Sequence, residues 1–142
     1  MNYTLKDLKS YSATAENPDA VSGQGGKENH GRKGCPCIEP LEVGSTKVLL
    51  HKYGSGTIRK IWCTIPPNHP EHLRNLILRM YWDGQKNPSV EVPIGDFFGI
   101  AHGRQRNMVT PYVGMQDAKG FNCFIPMPFK KEVQISIEND SD

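Results

Sequence analysis

The stretch NLILRMYWDGQKNPSVEVPI, residues 75–94, decides the fold class. Two short runs, NLILRMYW and SVEVPI, are rich in β-branched and aromatic residues and bounded by Asn, Gly or Pro, so they read as strands. Between them lies Trp82-Asp83-Gly84-Gln85, and Asp-Gly supplies the positive φ that a tight hairpin connection demands. Outward from this hairpin the same pattern repeats in TKVLLHKY (46–53), TIRKIWCT (57–64), GFNCFIPM (120–127) and EVQISIEN (132–139). In TIRKIWCT the apolar positions Ile58, Ile61 and Cys63 break strict alternation, which predicts a bulge or twist. Tyr53-Gly54-Ser55-Gly56 is a second turn, and PEHLRN (70–75), with Pro70 at a first helical position, is the helical candidate of the body. About six strands and one helical turn predict an all-β fold, an antiparallel β-sandwich of jelly-roll type. Such sandwiches usually carry seven or eight strands, so the domain is read as minimal or unfinished.

Composition narrows the function classes. The chain has 142 residues, 37% of them hydrophobic and 23% charged, with a net charge of +2. That length suffices for one domain with a core of its own. The basic residues are scattered, which argues against a nucleic-acid partner. No apolar run reaches the roughly 20 residues of a membrane span, and MNYTLKDLKSYS lacks the apolar middle of a signal peptide. A cytoplasmic protein is therefore expected. Residues 1–45 form a Gly- and polar-rich N-terminal segment, and residues 46–142 the sandwich domain. The segment lacks apolar periodicity and reads either as disordered or as a long functional loop. Cys35 and Cys37 are too close for an ordinary disulfide and miss the usual zinc spacings; Cys63 and Cys123 sit in apolar runs. His69 and His72 lack the zinc-protease spacing, so no metal and no cofactor is expected.

The densest chemistry lies in residues 80–106. Carbohydrate sites want aromatic faces for the C–H surfaces of a sugar, and carboxylates and guanidinium groups for its hydroxyls. Trp82, Asp83, Glu91, Asp96, His102, Arg104 and Arg106 supply all of these. Glycosidic cleavage also needs paired carboxylates. Asp83, however, fits a hairpin turn better than catalysis. Glu91, between Val90 and Val92, points away from the core. Asp96 is expected half-buried, with a cap or loop-tying hydrogen bond weighing as much as catalysis.

At these residues a resemblance becomes specific. YWDGQKNPSVEVPIGDFFG followed by HGRQR resembles the signature block of glycoside hydrolase family 172. AENP (15–18), GRKG with CPCI, GTIRKIWCTIPP, LRNLILRMYWDG, GFNCFIPMPF and ISIEND follow in the order that family shows, from about Ser12 to the end. The resemblance implies two jelly rolls per polypeptide and homo-oligomers with sites near subunit contacts. It also implies retaining action on α-linked furanosides, either α-fructofuranosides with difructose dianhydride chemistry or α-D-arabinofuranosides. The family's two reactive glutamates lie in a second half, in a block like this one. Where that block has Glu before Asp, this chain has Gly95, so Asp96 matches only the neighbour of the acid. No catalytic residue is carried over, and the chain alone is expected to be inactive. Its contribution to an oligosaccharide or glycoside site is expected from Glu16, Asn17 and Arg32, flanked by the glycines of GQGGK and GRKG, and from Trp82, Asp96, His102 and Arg104. Core packing competes with sugar stacking for Trp62 and Trp82, and an intersubunit ion pair competes for the arginines. The rival reading is a non-catalytic oligomerisation or carbohydrate-binding module.

Overall fold

A computed structural model describes residues 7–32, 37–66 and 71–142, so Cys35, His69 and Pro70 lie outside the described residues. The chain divides into two compact units, Met1–Glu39 and Pro40–Asp142.

Among the described residues, the larger unit carries ten strands: β1 (Thr46–Tyr53), β2 (Gly56–Ile58), β3 (Ile61–Thr64), β4 (Leu76–Trp82), β5 (Val90–Pro93), β6 (Met108–Val109), β7 (Val113–Gln116), β8 (Gly120–Cys123), β9 (Met127–Phe129) and β10 (Glu132–Asn139). Two single helical turns, α1 (His72–Asn75) and α2 (Ile94–Phe97), interrupt them. The strands form a sheet of order β1-β10-β4-β5, a pair β2-β9 and a sheet of order β3-β8-β7-β6, with every pairing antiparallel. Among the described residues no helix is long and apolar enough to cross a membrane.

The layers follow from period-two burial. On β10, Val133, Ile135 and Ile137 turn inward, while Glu132, Gln134 and Glu138 take the other face. Ile137 then packs with Met115, Phe121 and Cys123 of the opposing sheet, and with Leu73 of α1 and Phe98 just after α2. Leu78, Met80, Val133 and Ile135 make a second cluster within the same layer. The molecule is thus an antiparallel β-sandwich, as expected, with hairpins joining sequence neighbours at β4–β5 and along β6–β7–β8.

Three details differ from the sequence reading. TIRKIWCT is two strands, not one: β2 pairs with β9, the chain turns at Arg59-Lys60, and β3 pairs with β8. GFNCFIPM breaks in step at Phe124-Ile125-Pro126, so both members of the ribbon turn a corner together. The lost alternation at Ile58 and Ile61 marks that corner. Finally, β6 and β7 form where Pro111 and Gly114 obscure the strand pattern. Thr110 closes their turn, its hydroxyl accepting from Val113 N–H at 2.9 Å and donating to Val113 C=O at 2.7 Å. Gly114 is needed there because a Cβ would lie 3.1 Å from the Met108 carbonyl oxygen.

Asp83 and Gly84 turn as expected, with φ of 56° and 78°. Asp83 has a second role that composition does not show. One carboxylate oxygen, Oδ1, accepts from the backbone N–H of Lys131 at 2.6 Å, Lys130 at 2.8 Å and, more weakly, Glu132 at 3.4 Å. The β4–β5 turn is thereby tied to the turn before β10. Those N–H groups, Lys131 first and then Lys130, hold the Asp83 carboxyl below its ordinary range. A carboxyl lowered on folding stabilises the fold above its unfolded pKa, about 3.9, and that contribution is lost as pH falls through the folded value. Thermal melts should show Asp83→Asn less stable than the parent protein at pH 7, with a shallower loss of stability below about pH 4; identical acid limbs would refute the tie.

Burial pushes the Cys63 thiol up to about 12 and raises that of Cys123 as well. Neither should react with iodoacetamide at pH 8 in the folded protein, and both should react in urea, as peptide mapping will show.

Candidate carbohydrate site

The sequence points to loops around Glu16 and to the block after Trp82, and the two fare differently. In the unit Met1–Glu39, Thr14 and Asn17 close a tight loop, exchanging backbone hydrogen bonds of 3.1 Å in both directions. The Asn17 side chain is buried and holds the next turn: its Nδ2 donates to Val21 C=O at 3.1 Å, and its Oδ1 accepts from Val21 N–H at 3.0 Å. Glu16 sits beside it. Both line a cleft of about 320 Å³ whose other walls include Tyr11, Thr14, Gly25 and Gly26. Gly25 has nothing within 4 Å of where a Cβ would stand, so the rim is open backbone.

Glu16 carries the chemical signal of this cleft. Its Oε2 is buried and has no hydrogen-bond partner among the described residues. An unsatisfied buried carboxylate oxygen costs on the order of 1–3 kcal/mol or more, so any donor that reaches it is favoured there. A hydroxyl group is such a donor. Arg32 belongs to the same unit but is exposed, follows the helical turn Glu28–Gly31 and does not line the cleft.

In the unit Pro40–Asp142 the predicted residues take up separate local contacts. Trp82 packs against the cluster of Leu78, Met80, Val133 and Ile135, taking the core alternative. Trp62 departs from that alternative and is 53% exposed. Asp96 is an exposed residue rather than a half-buried one, and its carboxylate is paired with Arg74. The loop-tying role is the one it takes. His102 lies in the turn Ala101–Gly103 at a φ of 58°, exposed like Arg104 and Arg106. Glu91 points outward as expected and meets Arg79 Nε at 3.3 Å, while the same guanidinium binds Glu138. Among the described residues no three His, Cys, Asp or Glu side chains gather as a metal site.

One group of residues escaped the sequence reading. His51, Tyr53, Tyr81, Gln85, Glu132 and Gln134 line a second concavity of about 420 Å³, entirely within the larger unit. Its signal lay in the polar positions alternating with core positions on β1, β4 and β10, but only strand pairing brings residues 51 and 132 together.

Gly95 explains why this block carries no further carboxylate. It is buried in α2, and a Cβ there would stand 2.9 Å from both the Cβ and the carbonyl oxygen of Leu73. Backbone cannot yield as a flexible side chain can. Gly95→Ala should therefore destabilise by about 1–3 kcal/mol, read as a lower denaturant midpoint, and Gly95→Glu should fail to fold; a Gly95→Ala midpoint at or above that of the parent would show that the contact relaxes freely.

A family model described as GH172 domain-like matches residues 38–142. Comparison with curated proteins gives no match. The match spans the whole sandwich, from the residues just before β1 to the last residue after β10. By that coverage and by its antiparallel β-sandwich, the chain belongs to the GH172 domain-like family.

Proposed function

We propose that this chain supplies a substrate-holding part of a retaining glycoside hydrolase acting on α-linked furanosides, α-fructofuranosides or α-D-arabinofuranosides, and that the reactive carboxylates are not among its own acids. One observation carries the binding role: Glu16 lines a polar cleft with a glycine rim and keeps a buried carboxylate oxygen without a donor among the described residues. A furanoside hydroxyl satisfies that oxygen. The tight glycine rim lets the ring approach the chain closely.

The division of labour rests on what the other acids do. Retention needs two carboxyl groups about 5–5.5 Å apart, one free to attack and one able to hold a proton. One oxygen of Asp83 accepts from backbone N–H groups that hold its carboxyl below the ordinary range, which disfavours proton donation. Glu91 faces Arg79, and Asp96 faces Arg74. Each is a structural acid. Self-association through the exposed apolar residues Tyr112, Phe124 and Ile125 would fit the homo-oligomer that the resemblance implies. The same engaged acids favour a second reading, a non-catalytic carbohydrate-binding module.

Turnover separates the two. Protein isolated from its native source in its native assembly should cleave an aryl α-D-arabinofuranoside or an α-fructofuranoside, whereas binding without cleavage would favour the module. The purified 142-residue chain should cleave neither. In the native assembly, Glu16→Gln should raise KM about tenfold, the scale of a lost hydrogen bond to a charged group. Activity of the isolated chain that disappears on Asp96→Asn or Glu91→Gln would place a catalytic pair here and overturn the assignment.

A further inference from the structure

The geometry points to a distinct sugar-binding platform on the outer face of the β1-β10-β4 sheet, recognising a neutral polyhydroxylated ligand through Tyr53, Tyr81, His51, Glu132 and Gln134. Strand register builds it. His51 pairs with Gln134, and Gln134 in turn pairs with Tyr81, so three side chains stand in one row across three strands. One step further, Tyr53 pairs with Glu132. Neighbouring strands lie about 4.8 Å apart, which spaces each row on the scale of adjacent sugar substituents. The alternate residues Val133 and Met80 are fully buried, so the rows cannot turn inward without emptying the core.

The platform is walled and braced. Gly84, Gln85 and Lys86 of the β4–β5 turn line one side of the concavity, whose volume of about 420 Å³ lies within the roughly 300–1,000 Å³ range of small-molecule sites. That wall is fixed by the Asp83 carboxylate on the Lys130 and Lys131 N–H groups. The His51 and Tyr53 rings rest 4.7 Å apart at 41°, and His51 Nε2 reaches Glu132 Oε2 at 3.4 Å. These contacts order His51, Tyr53 and Glu132 before a ligand arrives, which lowers the entropic cost of binding there.

Charge selects the ligand class. One ammonium, Lys86, and one carboxylate, Glu132, offset each other in the lining, so a phosphate meets no surplus of cations and a cation no cluster of acids. Two tyrosine rings offer apolar faces with a polar tip. The Gln85 and Gln134 amides each donate and accept, while Glu132 accepts from paired hydroxyls. A sugar residue uses all of these at once. The platform shares a substrate class with the proposed glycosidase but needs no catalysis, and its test reads binding alone.

Titrating the ¹⁵N-labelled chain with methyl α-D-arabinofuranoside, a fructo-oligosaccharide and methyl α-D-glucopyranoside, with inorganic phosphate as the anionic probe, tests it directly. At least one sugar should shift the amides of His51, Gly84, Gln85, Glu132 and Gln134 saturably, and phosphate should not. Tyr53→Ala and Gln134→Ala should each weaken that binding about tenfold while keeping a dispersed spectrum, a loss of about 1.4 kcal/mol. Glu16→Gln should leave it unchanged, which separates the platform from the N-terminal cleft and from the glycosidase reading. Silence of these amides toward every sugar, or shifts that survive both substitutions, would overturn the inference. So would the same shifts arising from protein concentration alone, which would mark the face as a contact between copies.

Discussion

β10 is paired along its length on both edges, by β1 on one side and β4 on the other, and its alternation, interrupted by the buried Ser136, sorts the larger unit into inside and outside. Val133, Ile135 and Ile137 commit one face to the core, and the two hydrophobic clusters form around them. The other face then has no choice but to display Glu132, Gln134 and Glu138. A register slip of one residue would exchange the two sets and bury the carboxylates. The outer platform, the Arg79 ion pairs and the Asp83 tie all inherit their geometry from this one strand. Charge on the outer face is the counterpart of hydrophobicity on the inner one.

Most of the strands were legible because short apolar runs with β-branched or aromatic residues, bounded by Gly, Pro or Asn, mark residues 46–53, 76–82 and 132–139. The corners were harder. At Arg59-Lys60 and at Phe124-Ile125-Pro126 the chain changes partner without a glycine-rich turn, so one run of suitable residues hides two strands. At β6 and β7 the reverse happens, and a glycine placed for close approach to the Met108 carbonyl looks like loop punctuation. Local composition reports strand preference, whereas partner choice depends on residues far along the chain.

The sites divide along the same line. Glu16 and Asn17 have the glycines of GQGGK as neighbours in space as well as in sequence, so a local reading could group them. Asp83 was legible as a turn residue but not as an acceptor for Lys130 and Lys131, which lie nearly fifty positions later. The platform residues come from three strands whose pairing no local pattern encodes. Carboxylates in the dense block drew attention by their number, yet Glu91 and Asp96 meet arginines from neighbouring elements.

The close approach of Gly95 to Leu73 bears on how such a domain could change its chemistry over time. A glutamate at this position, next to Asp96, would meet Leu73 of α1. A single codon change cannot install the acid, since the first mutant on that path would lose its fold before gaining any rate. Two coordinated steps are required, a retreat of the turn carrying Leu73 and then the substitution itself. Leu73 anchors the core that joins both sheets, so the first step is itself costly. Packing around Gly95 thus limits which side chains the domain can accept there, independently of any selection on its activity.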